Sequence, residues 1–526
     1  MSKPSKTPKA EPSPTGGPYY REPSTRTVHF VLGAICFLAG AAVMVIEISA
    51  FRLLAPLFGN TAYTWTALIG VILIAFSFGG FLGGWLADRK LALDLIGWLL
   101  AGAAVLTFFI PALSEVFGES LSNKGLIFGP IMISILLFGT PGVLLGAISP
   151  ASVRFYSLVN KDSHVGAAAG TISMLGSLGS FVGTFLSGFY LLSNFGVKAI
   201  FLGTAAVLLL LSAIAFFLAK NTWRQQLPVW MSGLFAAWFG FTAQDKPADN
   251  VIWRHDSFYH RIEVSENGEG AFKQRFLHLD STVEGGVKIE DGGLVLDYQR
   301  YWRLPMLRDG FKMDRALFLG AGAFGMPCEV SREFPNAEID VVEIDPMVIE
   351  VGKKFFNLEK HPKVSAYAAD GRSFVRKTEH KYELIFGDAY NGVRAIPPHL
   401  ASREFFQLVS SKLSPGGVFL MNVITGVEGP KAELLAGMLS TLREVFPHVE
   451  AFAVSGGGDY AQNVILMASS EDWKPLLTER SYVAGSLQAQ FARTYRPSNR
   501  LPSGGAVFTD DLNPVDAVIA RALLEK

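Results

Sequence analysis

Between His29 and Ala219 the chain alternates long apolar stretches with short polar turns. The stretches fall at about 29–50, 64–87, 93–114, 125–149, 167–192 and 197–219. An α-helix needs about 20 apolar residues to cross roughly 30 Å of hydrocarbon, and each stretch reaches that length. No charged face runs along them, unlike the one-sided helix of a soluble core. The pattern predicts six membrane spans. A seventh apolar segment, 227–243, contains Pro228 and carries Trp230 and Trp238, which suit a bilayer interface. Residues 1–28 are rich in Pro, Ser, Thr and Lys and are predicted to be a flexible tail. No apolar stretch follows the start closely enough for a signal peptide.

After residue 245 charged residues become frequent, and short apolar runs alternate with helical patterns. Segments 315–319, 339–344, 364–368, 382–387 and 418–423 read as strands. Segments 327–334, 347–356 and 403–413 read as helices between them. Such alternation predicts a parallel sheet with crossover helices. Segments 257–265, 274–280 and 294–296 suggest a small antiparallel sheet ahead of it. The expected fold class is an α-helical multi-span membrane domain followed by α/β. The expected domains are the tail (1–28), a transmembrane domain of six or seven helices (29–245), a small β-sheet subdomain (246–310) and a Rossmann-like nucleoside-binding catalytic domain (311–526).

Composition agrees with two unlike halves. Of 526 residues 50% are hydrophobic and 17% charged, against about 25% charged in soluble domains. Lys plus Arg equals Asp plus Glu at 46 each, so net charge gives no sign of a nucleic-acid partner. Cys36 and Cys328 lie too far apart in sequence to suggest a disulfide framework or metal spacing. The basic residues are uneven. The tail carries Lys3, Lys6, Lys9, Arg21 and Arg26, and the turns after spans two, four and six carry Arg89/Lys90, Arg154/Lys161 and Lys220/Arg224. The opposite turns have Arg52, Lys124 and Lys198. This asymmetry predicts a cytoplasmic amino terminus. Six crossings return the chain to the cytoplasm, and seven export everything after 245.

Four motifs carry chemistry. Gly320-Ala321-Gly322-Ala323-Phe324-Gly325 follows an apolar strand and opens a helix. Glycines there allow a tight turn and close backbone approach to a ligand. Glu343 ends the next strand about twenty residues on, where a carboxylate accepts the hydroxyls of a ribose. Asp370-Gly371 follows the third strand, where the acid either caps a helix or accepts from an adenine amine. Asp388 follows the fourth strand with Tyr390 beside it, at the strand end where open α/β sheets bind ligands.

With Asp256-Ser257-Phe258-Tyr259-His260-Arg261-Ile262-Glu263-Val264, Leu277-His278-Leu279-Asp280 and the run from Asp388 to His399-Leu400, these motifs make residues 251–425 resemble the spermidine synthases, or polyamine aminopropyltransferases. The chain also resembles forms of that family with an amino-terminal multi-span module. The segment Gly79-Gly80-Phe81-Leu82-Gly83-Gly84-Trp85-Leu86-Ala87-Asp88-Arg89-Lys90 looks like the cytoplasmic loop signature of major facilitator transporters.

The resemblance implies a methyltransferase-type Rossmann-like sheet flanked by helices. It implies decarboxylated S-adenosylmethionine as co-substrate, no metal, and transfer of an aminopropyl group to an amine such as putrescine. By carry-over Gly320, Gly322, Gly325, Glu343, Asp370 and Gly371 hold the nucleoside. Asp388 and Tyr390 serve catalysis, and Tyr259, His260, Asp280 and Asn391 line the amine site. An alkyl amine of pKa near 10 is mostly protonated at neutral pH, so a nearby carboxylate is needed to take its proton. The implied partners are the small amine, the lipid bilayer and a second copy of the chain, with no nucleic acid. A cytosolic co-substrate favours an even number of crossings, with the catalytic domain on the cytoplasmic side of an inner (plasma) membrane.

This chain departs from the family pattern at several places. Ala323 and Asn391 stand where the family has acids, His260 replaces a glutamine, and Asp297-Tyr298-Gln299-Arg300 lacks the usual glutamate. Losing acids weakens diamine binding specifically. Two alternatives follow: methyl transfer from S-adenosylmethionine, or a polyamine transporter or sensor whose nucleoside site does no chemistry. The late acids of Thr509-Asp510-Asp511-Leu512-Asn513-Pro514 either cap a helix or close over the site. Within the spans, Glu47 has Arg52 as a candidate partner, the glycines at 166, 170, 176, 179, 183 and 188 suit close helix packing, and Pro141 and Pro150 suggest a broken helix.

Overall fold

The computed structural model describes residues 25–59, 61–89, 92–122, 124–159, 165–219, 231, 248–390, 396–478 and 486–524. Six helices among them are long and apolar enough to cross a membrane: Val28–Phe58, Ala62–Ala87, Leu93–Ser122, Ile127–Leu158, Val165–Leu191 and Val197–Leu218. Segment 227–243, apart from Met231, and Asn391 lie outside the described residues.

Short turns join consecutive helices, so their directions alternate. One end of the bundle gathers the start of helix one and the ends of helices two and four. There His29 stacks on Tyr156 at 4.6 Å, and Arg154 pairs with Asp88 at 3.4 Å. The other end carries the turns after helices one, three and five. Helix four is broken, as its prolines suggest. A π-helical turn occupies Ile135–Gly139, and the helix is interrupted at Ala147. Helices one and five pack through part of the glycine series. A Cβ on Gly179 would collide with the Phe37 carbonyl and one on Gly183 with that of Ala41, whereas Gly166, Gly170 and Gly188 face open space. The transporter-like segment lies mostly inside a helix, which runs on to Ala87. Its Gly79 and Gly83 admit the backbone of Val143 and Ala147 in helix four.

The second half holds two sheets. Strands β1 (Val251–Asp256), β2 (Arg261–Asn267), β3 (Gln274–Leu279) and β4 (Thr282–Lys288) form an antiparallel sheet in that order. Segment 294–296 adds only an isolated bridge from Leu294 to Val287. The larger sheet contains β5 (Arg315–Leu319), β6 (Glu338–Glu343), β7 (Val364–Ala368), β8 (Tyr382–Gly387), β9 (Leu413–Thr425), β10 (His448–Ala453), β11 (Gln462–Ser469) and β12 (Tyr495–Arg496). Its order is β12-β10-β11-β9-β8-β5-β6-β7. Pairings among β5 to β9 are parallel, and β11 inserts antiparallel between β9 and β10. A reversed β11 between parallel strands is the methyltransferase-type arrangement expected above, and the two-residue β12 adds a second reversed strand at the edge. Reversal of strand order at β5 leaves a crevice beyond the carboxyl ends of β5 and β8.

The two halves meet at the turns after helices one and five. The Ser281 hydroxyl donates to the Pro56 carbonyl at 2.8 Å. The Ala62 N–H donates to Asp516, and a Cβ on Gly196 would stand 3.1 Å from Asp256 Oδ2. Arg52 reaches Asp280 at 3.3 Å rather than pairing with Glu47. The second half docks at the end that carries the turns after helices one, three and five, where Arg52 of helix one and the backbone at Pro56 and Ala62 find polar partners.

Candidate active site

The site is built where β5, β6, β7 and β8 end. The tight turn after β5 needs glycine. Gly320 has φ +95° and sits against the Asp388 carbonyl; Gly322 has φ +47°, and a Cβ there would lie 2.7 Å from the Glu284 carbonyl. Residues 320–322 therefore form a wall of bare backbone. Gly325 opens the following helix and lies outside the cavity lining.

Glu343 ends β6 and is buried. Its carboxylate accepts the Ala321 N–H at 3.2 Å and the Asp345 N–H at 3.0 Å. Burial raises its pKa, and those two N–H groups oppose the rise. A carboxylate has about four acceptor positions, so about two remain beyond these N–H groups. Asp370 takes the capping role considered for it. One oxygen caps a helix through the Ser373 N–H at 2.8 Å; the other lies 2.9 Å from His399 Nε2 at the cavity rim. Burial alone would raise its pKa, but the Ser373 and His399 contacts outweigh it and lower the value. Ile344, Pro397 and Leu400 add apolar lining between these acids, beside Gly371.

Asp388 stands deeper in the cavity. It accepts from the Tyr298 hydroxyl at 2.8 Å and from Asn422 Nδ2 at 2.9 Å. Burial still pushes its pKa up to about 6 against these hydrogen bonds. Tyr390 lines the same cavity, but its hydroxyl is used elsewhere. It donates to the Asn422 carbonyl at 3.0 Å and accepts the Ile424 N–H at 2.9 Å. Tyr390 thus ties the end of β8 to β9 through its hydroxyl.

Opposite Asp388 are two side chains from the small sheet. Glu284 of β4 is pushed up to about 7, mainly by burial, with the Asp388 charge adding to it. His260 lies 2.9 Å from Asp280 through Nδ1. Burial lowers its pKa, but Asp280 outweighs this and the net shift is upward. Asp280 itself is sealed, with 4% side-chain exposure, and its oxygens meet Arg52, His260 and the Arg261 N–H. Its pKa is lowered because those partners outweigh its burial. Asp280 and Tyr259 do not line the cavity. Ala323 is buried, and a Cβ built on Gly285 would stand 2.9 Å from its own Cβ, so the position has no room for an acid. Asp510 forms a bidentate pair with Arg372, at 2.6 and 2.5 Å, away from the cavity lining.

Glu284, Tyr298 and Asn422 were not assigned site roles from the sequence. The Thr282–Lys288 strand carries Gly285-Gly286, which depress a strand pattern, and Asn422 shows no local signal; Tyr298 stands in the Asp297–Arg300 segment that the family resemblance singled out.

A glycine turn, a buried acid at the end of β6 and a recessed carboxylate meet at a switch point, where open α/β sheets bind ligands. Residues 304–473 match the family model described as the spermine/spermidine synthase domain. The chain is 28% identical over 297 residues to the "Probable polyamine aminopropyl transferase" of Bifidobacterium longum, covering 52% of this chain and 63% of that protein. It thus spans less than two thirds of that relative's length. It is 24% identical over 442 residues to "Polyamine aminopropyltransferase 2" of Aquifex aeolicus, covering 80% of this chain and 83% of the other. That coverage exceeds what residues after 245 could supply, so the similarity extends into the helical module. Over 151 residues it is 30% identical to the human "eEF1A lysine and N-terminal methyltransferase", covering 27% of this chain and 21% of that protein.

Proposed function

We propose that this protein is a membrane-anchored aminopropyltransferase that moves the aminopropyl group of decarboxylated S-adenosylmethionine to an amine such as putrescine. The observation that carries this reading is Asp388. Its carboxylate is fixed by Tyr298 and Asn422, stands beside a nucleoside cradle and has a pKa of about 6. Glu343 and Asp370 would hold ribose and adenine, and the bare turn at 320–322 would admit the sulfur end. Asp388 would orient the acceptor ammonium and take its proton as nitrogen attacks the carbon next to the sulfonium. The C–N bond forms, the C–S pair returns to sulfur, and methylthioadenosine leaves. Fixing both reactants in line supplies much of the rate. The six long apolar helices would hold the enzyme in the bilayer.

Acid weakens this chemistry. A carboxyl with a pKa of about 6 accepts a proton only when ionised. The kcat/KM for the donor is therefore expected to fall as pH drops through about 6 and to level off above about 7. A profile flat from pH 5 to 8 would remove Asp388 from the proton-transfer step. An acceptor screen by mass spectrometry, with Asp388→Asn as control, tests the assignment. Methylated product from S-adenosylmethionine would support the methyl-transfer alternative.

A further inference from the structure

We propose that the active site faces away from the cytoplasm. The placement is independent of which group is transferred and rests on three sets of observations.

The first is docking. Arg52 and Pro56 at the end of helix one, Ala62 at the start of helix two and Gly196 before helix six all touch the catalytic half. Arg52 is deeply engaged, with 9% side-chain exposure, and holds Asp280 directly behind His260 in the cavity wall. The catalytic half is thus joined to one end of the bundle through a wall of the site itself.

The second is charge. At the far end, Asp88 and Arg154 pair, and Arg89 lies over Trp85 at 3.8 Å. Arg89 and Arg154 lie at that end, and in sequence Lys90, Lys161 and the basic tail adjoin the helix ends found there. The docked end has Arg52, Lys124 and Lys198, of which Arg52 is bound to Asp280 and Lys198 to Glu115. Basic residues near short turns remain cytoplasmic, so the docked end is the non-cytoplasmic one.

The third is chain path. Helix six starts beside Gly196 at the docked end and runs 22 residues to Leu218, about 33 Å at 1.5 Å per residue. Ala248 stands beside the first strand of the docked half, its carbonyl accepting the Val251 N–H at 2.9 Å. Between these points the sequence holds the apolar segment 227–243, at about 17 residues just long enough to cross a bilayer. The number of crossings is then odd, and donor and acceptor reach the site from the outer compartment.

A membrane-impermeant maleimide tests this on the full-length protein in intact spheroplasts. The native Cys36 and Cys328 are buried and give the background. Phe272→Cys and Leu512→Cys place thiols at exposed positions of the catalytic half (85% and 70% exposed), and Val165→Cys places one at the basic end (66% exposed). The first two are expected to label before lysis as fully as after it, and Val165→Cys only after lysis. Protection of both catalytic-half thiols until lysis, or labelling of Val165→Cys before it, overturns the proposal.

Discussion

Asp388→Asn is expected to lower kcat by about 10²- to 10⁴-fold, the range for loss of a positioned general base, while nucleoside binding persists. The asparagine is nearly isosteric and keeps one oxygen to accept from Tyr298 or Asn422. It loses the negative charge that would orient an ammonium, and it takes up no proton. Its amide would also present N–H to one of two donors, Tyr298 Oη or Asn422 Nδ2, that now converge on a carboxylate. Glu343 and Asp370 do not contact Asp388 in the hydrogen-bond network described above, so the dissociation constant for methylthioadenosine should change little. Product formation by mass spectrometry and binding by calorimetry check the two halves separately. Equal loss of binding and turnover would make Asp388 structural.

Glu343→Gln is expected to do the reverse. Its carboxylate already accepts two backbone N–H groups and has two acceptor positions left for a ribose. A glutamine accepts through one oxygen only, so an N–H of Ala321 or Asp345 would face an amide N–H₂. Hydrogen bonds to charged groups contribute about 1.5–3 kcal/mol each, which corresponds to roughly 10- to 100-fold in donor KM. The reacting atoms are elsewhere, so kcat at saturation should hold, the signature of lost uniform binding. Steady-state kinetics at varied donor concentration check this. A fall in kcat with unchanged KM would place Glu343 in the chemistry.

What the sequence revealed follows from how buried each element is. Strands β5, β6 and β8 are buried along almost their whole length, so they appear as nearly continuous apolar runs such as RALFL and YELIFG. Acids at their ends were legible because a strand end followed by a carboxylate has few other uses. Strand β10 was not legible. Its HVEAFA carries Glu450, which is buried and bonded to the Tyr495 hydroxyl at 2.7 Å, so a tertiary partner conceals a charge in a core strand. Glu284 was hidden by the glycines beside it, and its role depends on β4 folding under the 320–322 turn. Arg52 illustrates the limit most clearly. Sequence spacing offers Glu47, five residues away, whereas the partner in space is Asp280, 228 residues away. The same long-range contact decides which end of the bundle carries the site. It also uses up the charge of an acid that the family resemblance assigns to the amine.

The central claim is the transfer itself. Purified full-length protein, in detergent or nanodiscs, incubated with decarboxylated S-adenosylmethionine and a panel of amines including putrescine, should yield methylthioadenosine and an amine enlarged by one aminopropyl group. Both products should vanish with Asp388→Asn. Absence of product with every amine, or methylated acceptor with S-adenosylhomocysteine when S-adenosylmethionine is supplied, would contradict the account.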